Sequence, residues 1–120
     1  MQLQKEKRKL RVLFLADGLA PFVLGGMQQH STQLVKQMAP LVESITLMHC
    51  GVLNGDVPTS DEVLAELGNP DNVEVMGFPF TDRGLFPGHY IRASIRVSRS
   101  FCEAIGGRLN SYDAVYAQGL

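Results

Sequence analysis

Residues 10–30 read Leu10-Arg11-Val12-Leu13-Phe14-Leu15-Ala16-Asp17-Gly18-Leu19-Ala20-Pro21-Phe22-Val23-Leu24-Gly25-Gly26-Met27-Gln28-Gln29-His30, and residues 31–39 continue STQLVKQMA. Leu10 to Ala16 is a short apolar run of the kind that forms a central parallel strand covered on both faces. Asp17 and Gly18 end it, and Pro21 with the Gly25-Gly26 pair demands a loop. From Met27 to Ala39 the apolar positions turn helical: Met27, Ser31, Leu34, Val35 and Met38 fall at i, i+4, i+7, i+8 and i+11. Pro40 closes that helix, since proline disfavours helix at the residue before it. A glycine pair at a helix start leaves backbone N–H groups uncovered, and these with the helix dipole favour an anion. The same pair also suits a purely structural use, in a tight turn or a close packing contact.

Working outward, the alternation continues. Residues 43–50 predict a second strand, 51–60 a turn-rich loop, and 61–67 a short helix with Ser60 as its N-cap. Gly68-Asn69-Pro70 stops it, and 72–78 predicts a short third strand near a sheet edge. A loop with two prolines and two glycines spans 79–89, a helix runs from Tyr90 to Ile105 and ends at Gly106-Gly107, and 112–117 begins a fourth strand. Strands alternating with helices give an α/β fold with a parallel sheet. In such sheets ligands bind beyond the carboxyl ends of the strands. The fourth strand lies at the end of the sequence, so the site is expected to be incomplete and the chain to be a piece of a longer one.

The chain has 120 residues, 45% hydrophobic and 19% charged, enough for one domain with a real core. A net charge of −1 argues against nucleic acid as a partner. The charge is uneven. Residues 1–11 carry five basic groups (Lys5, Lys7, Arg8, Lys9, Arg11) and one acid, Glu6, which leaves a net of −5 on the rest. Residues 1–9 read as a basic, frayed tail. Asp17 interrupts the apolar run that follows, so a signal peptide is not expected. No stretch approaches the ~20 apolar residues of a membrane span. Cys50 and Cys102 are far apart with no CxxC, and read as buried thiols of a reducing compartment. The expected location is cytoplasmic, with peripheral contact at the inner face of the membrane left open.

The glycine loop is neither a GxGxxG fingerprint nor a P-loop, because no GK[ST] follows it. The run from Leu13 to Ala39 resembles instead the N-terminal domain of retaining, sugar-nucleotide-dependent glycosyltransferases of GT-B architecture, the family 4-like group. Its members carry GGxExH or GGxQxH after the first strand, matched here by Gly25-Gly26-Met27-Gln28-Gln29-His30. A second signature, D-x-V-H-x-H, is approximated by Asp113-Ala114-Val115-Tyr116-Ala117-Gln118. The resemblance spans Leu10 to Leu120.

It implies a Rossmann-like three-layer sandwich over 10–120, the half that binds the acceptor, facing a C-terminal donor-binding domain absent from these residues. It also implies a nucleotide sugar as donor substrate, with no cofactor and no metal, and no Asp-x-Asp motif is present. The acceptor would be a lipid or a saccharide hydroxyl. Carried over by position, Gly25 and Gly26 would bring N–H groups near the sugar and diphosphate. Two positions depart from the family: its histidines are replaced by Tyr116 and Gln118. Gln118 can hydrogen-bond a hydroxyl but cannot exchange a proton near neutrality, which puts the usual catalytic arrangement in doubt.

The remaining candidates each have a structural alternative. His30 reads as an inward-facing core residue or an acceptor contact. Met27 and Gln28 belong to the glycine loop, Gln28 standing where many relatives have glutamate. Asp17 and His49 end strands on the ligand side. Arg92, Arg96 and Arg99 share one helical stripe, read as a solvated face, or as a contact for a phosphate-bearing acceptor or an anionic membrane, with Phe78, Phe80, Leu85 and Phe86 supplying apolar insertion. Two further readings stay open: a non-catalytic Rossmann-like anion or nucleotide binder, and a degenerate glycosyltransferase-like scaffold.

Overall fold

The computed structural model describes residues 8–52, 55–81 and 89–118. Strands and helices alternate as the apolar periodicity requires: β1 (Arg8–Ala16), α1 (Gly26–Met38), β2 (Val42–Cys50), α2 (Ser60–Glu66), β3 (Val73–Phe78), α3 (His89–Ile105) and β4 (Ala114–Gln118). Short 3-10 turns, Ala39–Leu41 and Gly106–Ser111, follow α1 and α3. The four strands form one all-parallel sheet in the order β3-β2-β1-β4. The first three strands grow toward one edge. The chain then crosses back to set β4 on the other side of β1, so the order reverses between β1 and β4.

Alternate residues of one strand feed opposite layers, as the pleat dictates. Val12, Phe14 and Ala16 of β1, Ile45 and Leu47 of β2 and Val73 and Val75 of β3 pack with Val35 of α1 and Val63 of α2. Leu13, Met48 and Cys50 pack on the other face with Ala93, Val97 and Phe101 of α3. The result is a three-layer, Rossmann-like α/β sandwich. Among the described residues no helix is long and apolar enough to cross a membrane.

Several boundaries and faces differ from the sequence reading. β1 begins at Arg8, so the basic tail is shorter than 1–9, and residues 1–7 lie outside the described residues. Thr59, not Ser60, caps α2. Its hydroxyl accepts the Glu62 N–H at 3.1 Å, while Glu62 accepts the Thr59 N–H at 3.0 Å. Ser60 instead donates its hydroxyl to the Val75 carbonyl, pinning α2 to β3. On α1, Ser31 and Val35 are buried as expected, but Met27 is exposed, because the first turn rises above the end of the sheet. Cys50 is buried and Cys102 is not, since Cys102 falls on the outer side of α3. Phe78 and Phe80 are not free for insertion. Phe80 is buried in the α3 layer, and Phe78 meets the Phe101 ring edge-on at 5.2 Å. Leu85 and Phe86 lie outside the described residues.

Candidate functional site

In a parallel βαβ unit the helix starts at the strands' carboxyl rim, so the loop 17–25 and the start of α1 sit at the mouth where β1 and β4 part. Apolar anchors and short hydrogen bonds fix this loop. Leu19 is buried and Phe22 packs on the α1 layer. The Val23 N–H donates to the Leu19 carbonyl at 2.8 Å and the Ala20 N–H to that of Gln28 at 3.3 Å. The Thr32 hydroxyl lies 3.0 Å from the Ala20 carbonyl and 3.1 Å from that of Gln28, so one side chain in the second turn of α1 holds both. Sequence reasoning passed over Thr32. Its only signal was a β-branched hydroxyl beside Ser31 on the inner face of the helix.

The two glycines do different things. Gly25 has φ +146°, a conformation that side-chain-bearing residues rarely adopt, and a Cβ there would collide with the amide oxygen of Gln28. Gly26 has no atom within 4 Å of where its Cβ would be. No side chain caps α1 and its first turn holds no acid. The first-turn N–H groups have no intrahelical partner, and Gly25, Gly26 and Met27 are exposed around them.

Asp17 ties this rim together. Its N–H donates to the Gln118 carbonyl at 3.3 Å, linking β1 to β4. Its carbonyl accepts the Cys50 S–H at 3.0 Å, linking β1 to β2. Its carboxylate accepts the Gln28 side-chain amide at 3.2 Å, linking β1 to α1. Partial burial pushes the Asp17 pKa up, opposed by hydrogen bonds from its own backbone and from Gln28. Burial, with the Asp17 charge nearby, pushes the Cys50 thiol up to about 12, so it remains protonated and serves as a donor. Gln118 pairs in register with Ala16 and is half-buried. The Tyr116 hydroxyl donates to the Gln118 side-chain oxygen at 3.4 Å, and the Tyr116 ring stacks on Phe14 at 4.9 Å.

The structure therefore brings Asp17, Gly25, Gly26, Met27, Gln28 and Gln118 to one mouth. It does not bring all the sequence candidates there. His30 is exposed on the outer side of α1, which corrects the expectation of an inward-facing core residue: Ser31, the next residue, is the one that faces the sheet. Arg92, Arg96 and Arg99 are exposed on α3, across the sheet from α1. Arg96 donates to the Thr81 carbonyl at 2.9 Å. His49 is fully buried at the end of β2, and neither ring nitrogen has a hydrogen-bond partner. A Cβ on Gly77 would come within 3.1 Å of its Nε2 and 2.7 Å of the Val57 side chain, so a side chain at 77 would press on both. Burial lowers its pKa and keeps it neutral.

The mouth offers unpaired N–H donors to an anion, and a carboxylate with two side-chain amides to hydroxyl groups. Among the described residues no group of three or more His, Cys, Asp or Glu could hold a metal ion. Neither a family model nor a curated protein matches the chain.

Proposed function

We propose that this chain is the acceptor-side half of a nucleotide-sugar-dependent glycosyltransferase, moving a hexose to a hydroxyl of a lipid or saccharide acceptor. The observation that carries the reading is the bare start of α1, Gly25-Gly26-Met27-Gln28, placed beside Asp17 and Gln118 where the strand order reverses. Open α/β sheets bind their ligands at such a point. The GGxQxH run, whose glycines lie at that mouth, and the approximate D-x-V-H-x-H run, which ends beside it at Gln118, support it further.

On this reading the donor diphosphate faces the first turn of α1. The leaving nucleotide diphosphate gains negative charge in the transition state, and fixed N–H dipoles stabilise it without having to reorganise. Asp17 and Gln118 accept hydrogen bonds from hydroxyls of the sugar or the acceptor. Gln28 stands between the Asp17 carboxylate and the helix start, so its neutral amide keeps a second negative charge away from the phosphates. A facing domain supplies the other wall and most nucleotide contacts.

Amide-resolved NMR titration with UDP- and GDP-hexoses at millimolar concentration tests the site. Shifts at Gly26, Met27, Gln28 and Asp17, weakened in Gly26→Ala, are expected. Shifts confined to other surfaces would refute it. A non-catalytic binding module has one observation in its favour: Gln118, already bonded to Tyr116, exchanges no proton. It is distinguished by donor binding without hexose transfer in a panel of acceptors.

A further inference from the structure

α1 and α2 leave a groove of about 410 Å³ between them, closed at one end by Ala20 and Pro21 of the loop that frames the mouth. Gln29, Gln33 and Lys36 fall at i, i+4 and i+7, so one stripe of α1 supplies one wall. Glu66, at the end of α2, supplies the other. The Thr32 hydroxyl holds the Ala20 carbonyl at 3.0 Å, which sets the apolar end of the groove against the helix. The four polar side chains of the walls are exposed, and none has a hydrogen bond or ion pair among the described residues. Lys36 and Glu66 line the same space without pairing.

We infer that this groove binds an uncharged saccharide. Its lining selects the class. Each of the two amides donates and accepts hydrogen bonds, the ammonium only donates and the carboxylate only accepts. A hydroxyl does both, so a ligand built of hydroxyls matches all four. Glu66 repels an anion and Lys36 repels a cation. An apolar ligand would strip the polar groups of water without replacing their hydrogen bonds. An amino-acid zwitterion satisfies the Lys36–Glu66 end alone and leaves Gln29 and Pro21 uncovered. Ala20 and Pro21 give the C–H face of a sugar ring an apolar partner. The volume lies within the ~300–1,000 Å³ usual for small-molecule sites. The rise from Gln29 to Lys36 is about 10 Å, longer than one pyranose ring, so the groove suits a disaccharide or a longer chain. The binding goes beyond the sugar-transfer reading and does not need it, since neither Asp17 nor the bare amides of α1 take part.

The test is an NMR titration of the chain with maltose, lactose and mannobiose at millimolar concentration, read at the side-chain amides of Gln29 and Gln33 with no nucleotide sugar present. Saturable shifts of both amides with at least one disaccharide are expected, indifferent to added salt because the ligand is uncharged. Gln33→Ala with Glu66→Ala should weaken that binding about tenfold. The melting temperature should not change, because both side chains are exposed and make no hydrogen bond. No shift with any of the disaccharides, shifts confined to other residues, or equal binding by the parent and the double variant overturns the inference. So does alanylalanine moving the two amides where the sugars do not, which would assign the groove to a zwitterion. The donor titration is read at Gly26, Gln28 and Asp17 and this one at Gln29 and Gln33, so either can fail while the other stands.

Discussion

Gly25 and Gly26 look alike in the sequence and are opposites in the fold. Gly25 holds a backbone shape that an L-residue reaches only under strain, with the Gln28 amide lying where its side chain would go. Gly25→Ala should therefore cost about 1–3 kcal/mol in urea unfolding. Gly26→Ala should stay within about 1 kcal/mol of the parent, and alanine's better helix propensity favours a small gain. Equal costs would mean that the distinction is wrong. At His49 the prediction concerns pH. Its folded-state pKa lies below the ordinary value of 6.5 because burial disfavours the charged ring. As pH falls through about 6.5 the unfolded chain takes up a proton that the folded chain resists, so stability is full above that pH and declines below it. His49→Met, which cannot titrate, should flatten the pH dependence of the urea midpoint between pH 7 and 5. Asp17 acts in the opposite sense in more acid solution, since its raised pKa makes the fold the better proton binder there.

Among the elements, β4 is unlike the others. β2 is buried along most of its length and β1 is buried at Val12, Leu13, Phe14 and Ala16, whereas Ala114 to Ala117 are all exposed and one edge of β4 pairs with nothing among the described residues. Its hold on the sheet is the ladder to β1, the Tyr116–Phe14 stack, and the Arg11–Asp113 contact at its start. The amides of β4 should therefore exchange with deuterium well before those of β1 and β2, and equal protection would contradict this account. The element pattern was plain in the sequence. Runs such as Leu10–Ala16 and Ile45–Cys50 are apolar because a central parallel strand is covered on both faces, and proline and glycine mark where they stop. Details that depend on one side chain meeting another were not legible. Ser60 and Thr59 are equally good caps on paper; the distance to Glu62 decides for Thr59, and Ser60 turns to Val75. A helical stripe running from Met27 through Ser31 cannot say where the sheet beneath it ends, so Met27 was placed inside. The mouth was half legible. Bare amides follow from two glycines at a helix start, but the meeting of Asp17, Gln28 and Gln118 depends on which strand lies beside β1.

At the scale of the molecule, that neighbour is the point. The order β3-β2-β1-β4 means that β1 and β4 stand side by side, with α3 carried across the other face to join them. Two layers of core then share one sheet, and α1 and α3 are held on opposite sides of it. Synthesis on the ribosome adds a timing to this geometry. Val12 to Ala16 emerge early, yet their partners on one side, Ala114 to Gln118, emerge about a hundred residues later. Until then β1 has an open flank of unmatched amides and carbonyls, the situation that invites strand exchange between nascent chains. The Asp17 N–H also waits for Gln118, so the mouth cannot assume its finished shape before β4 has been made.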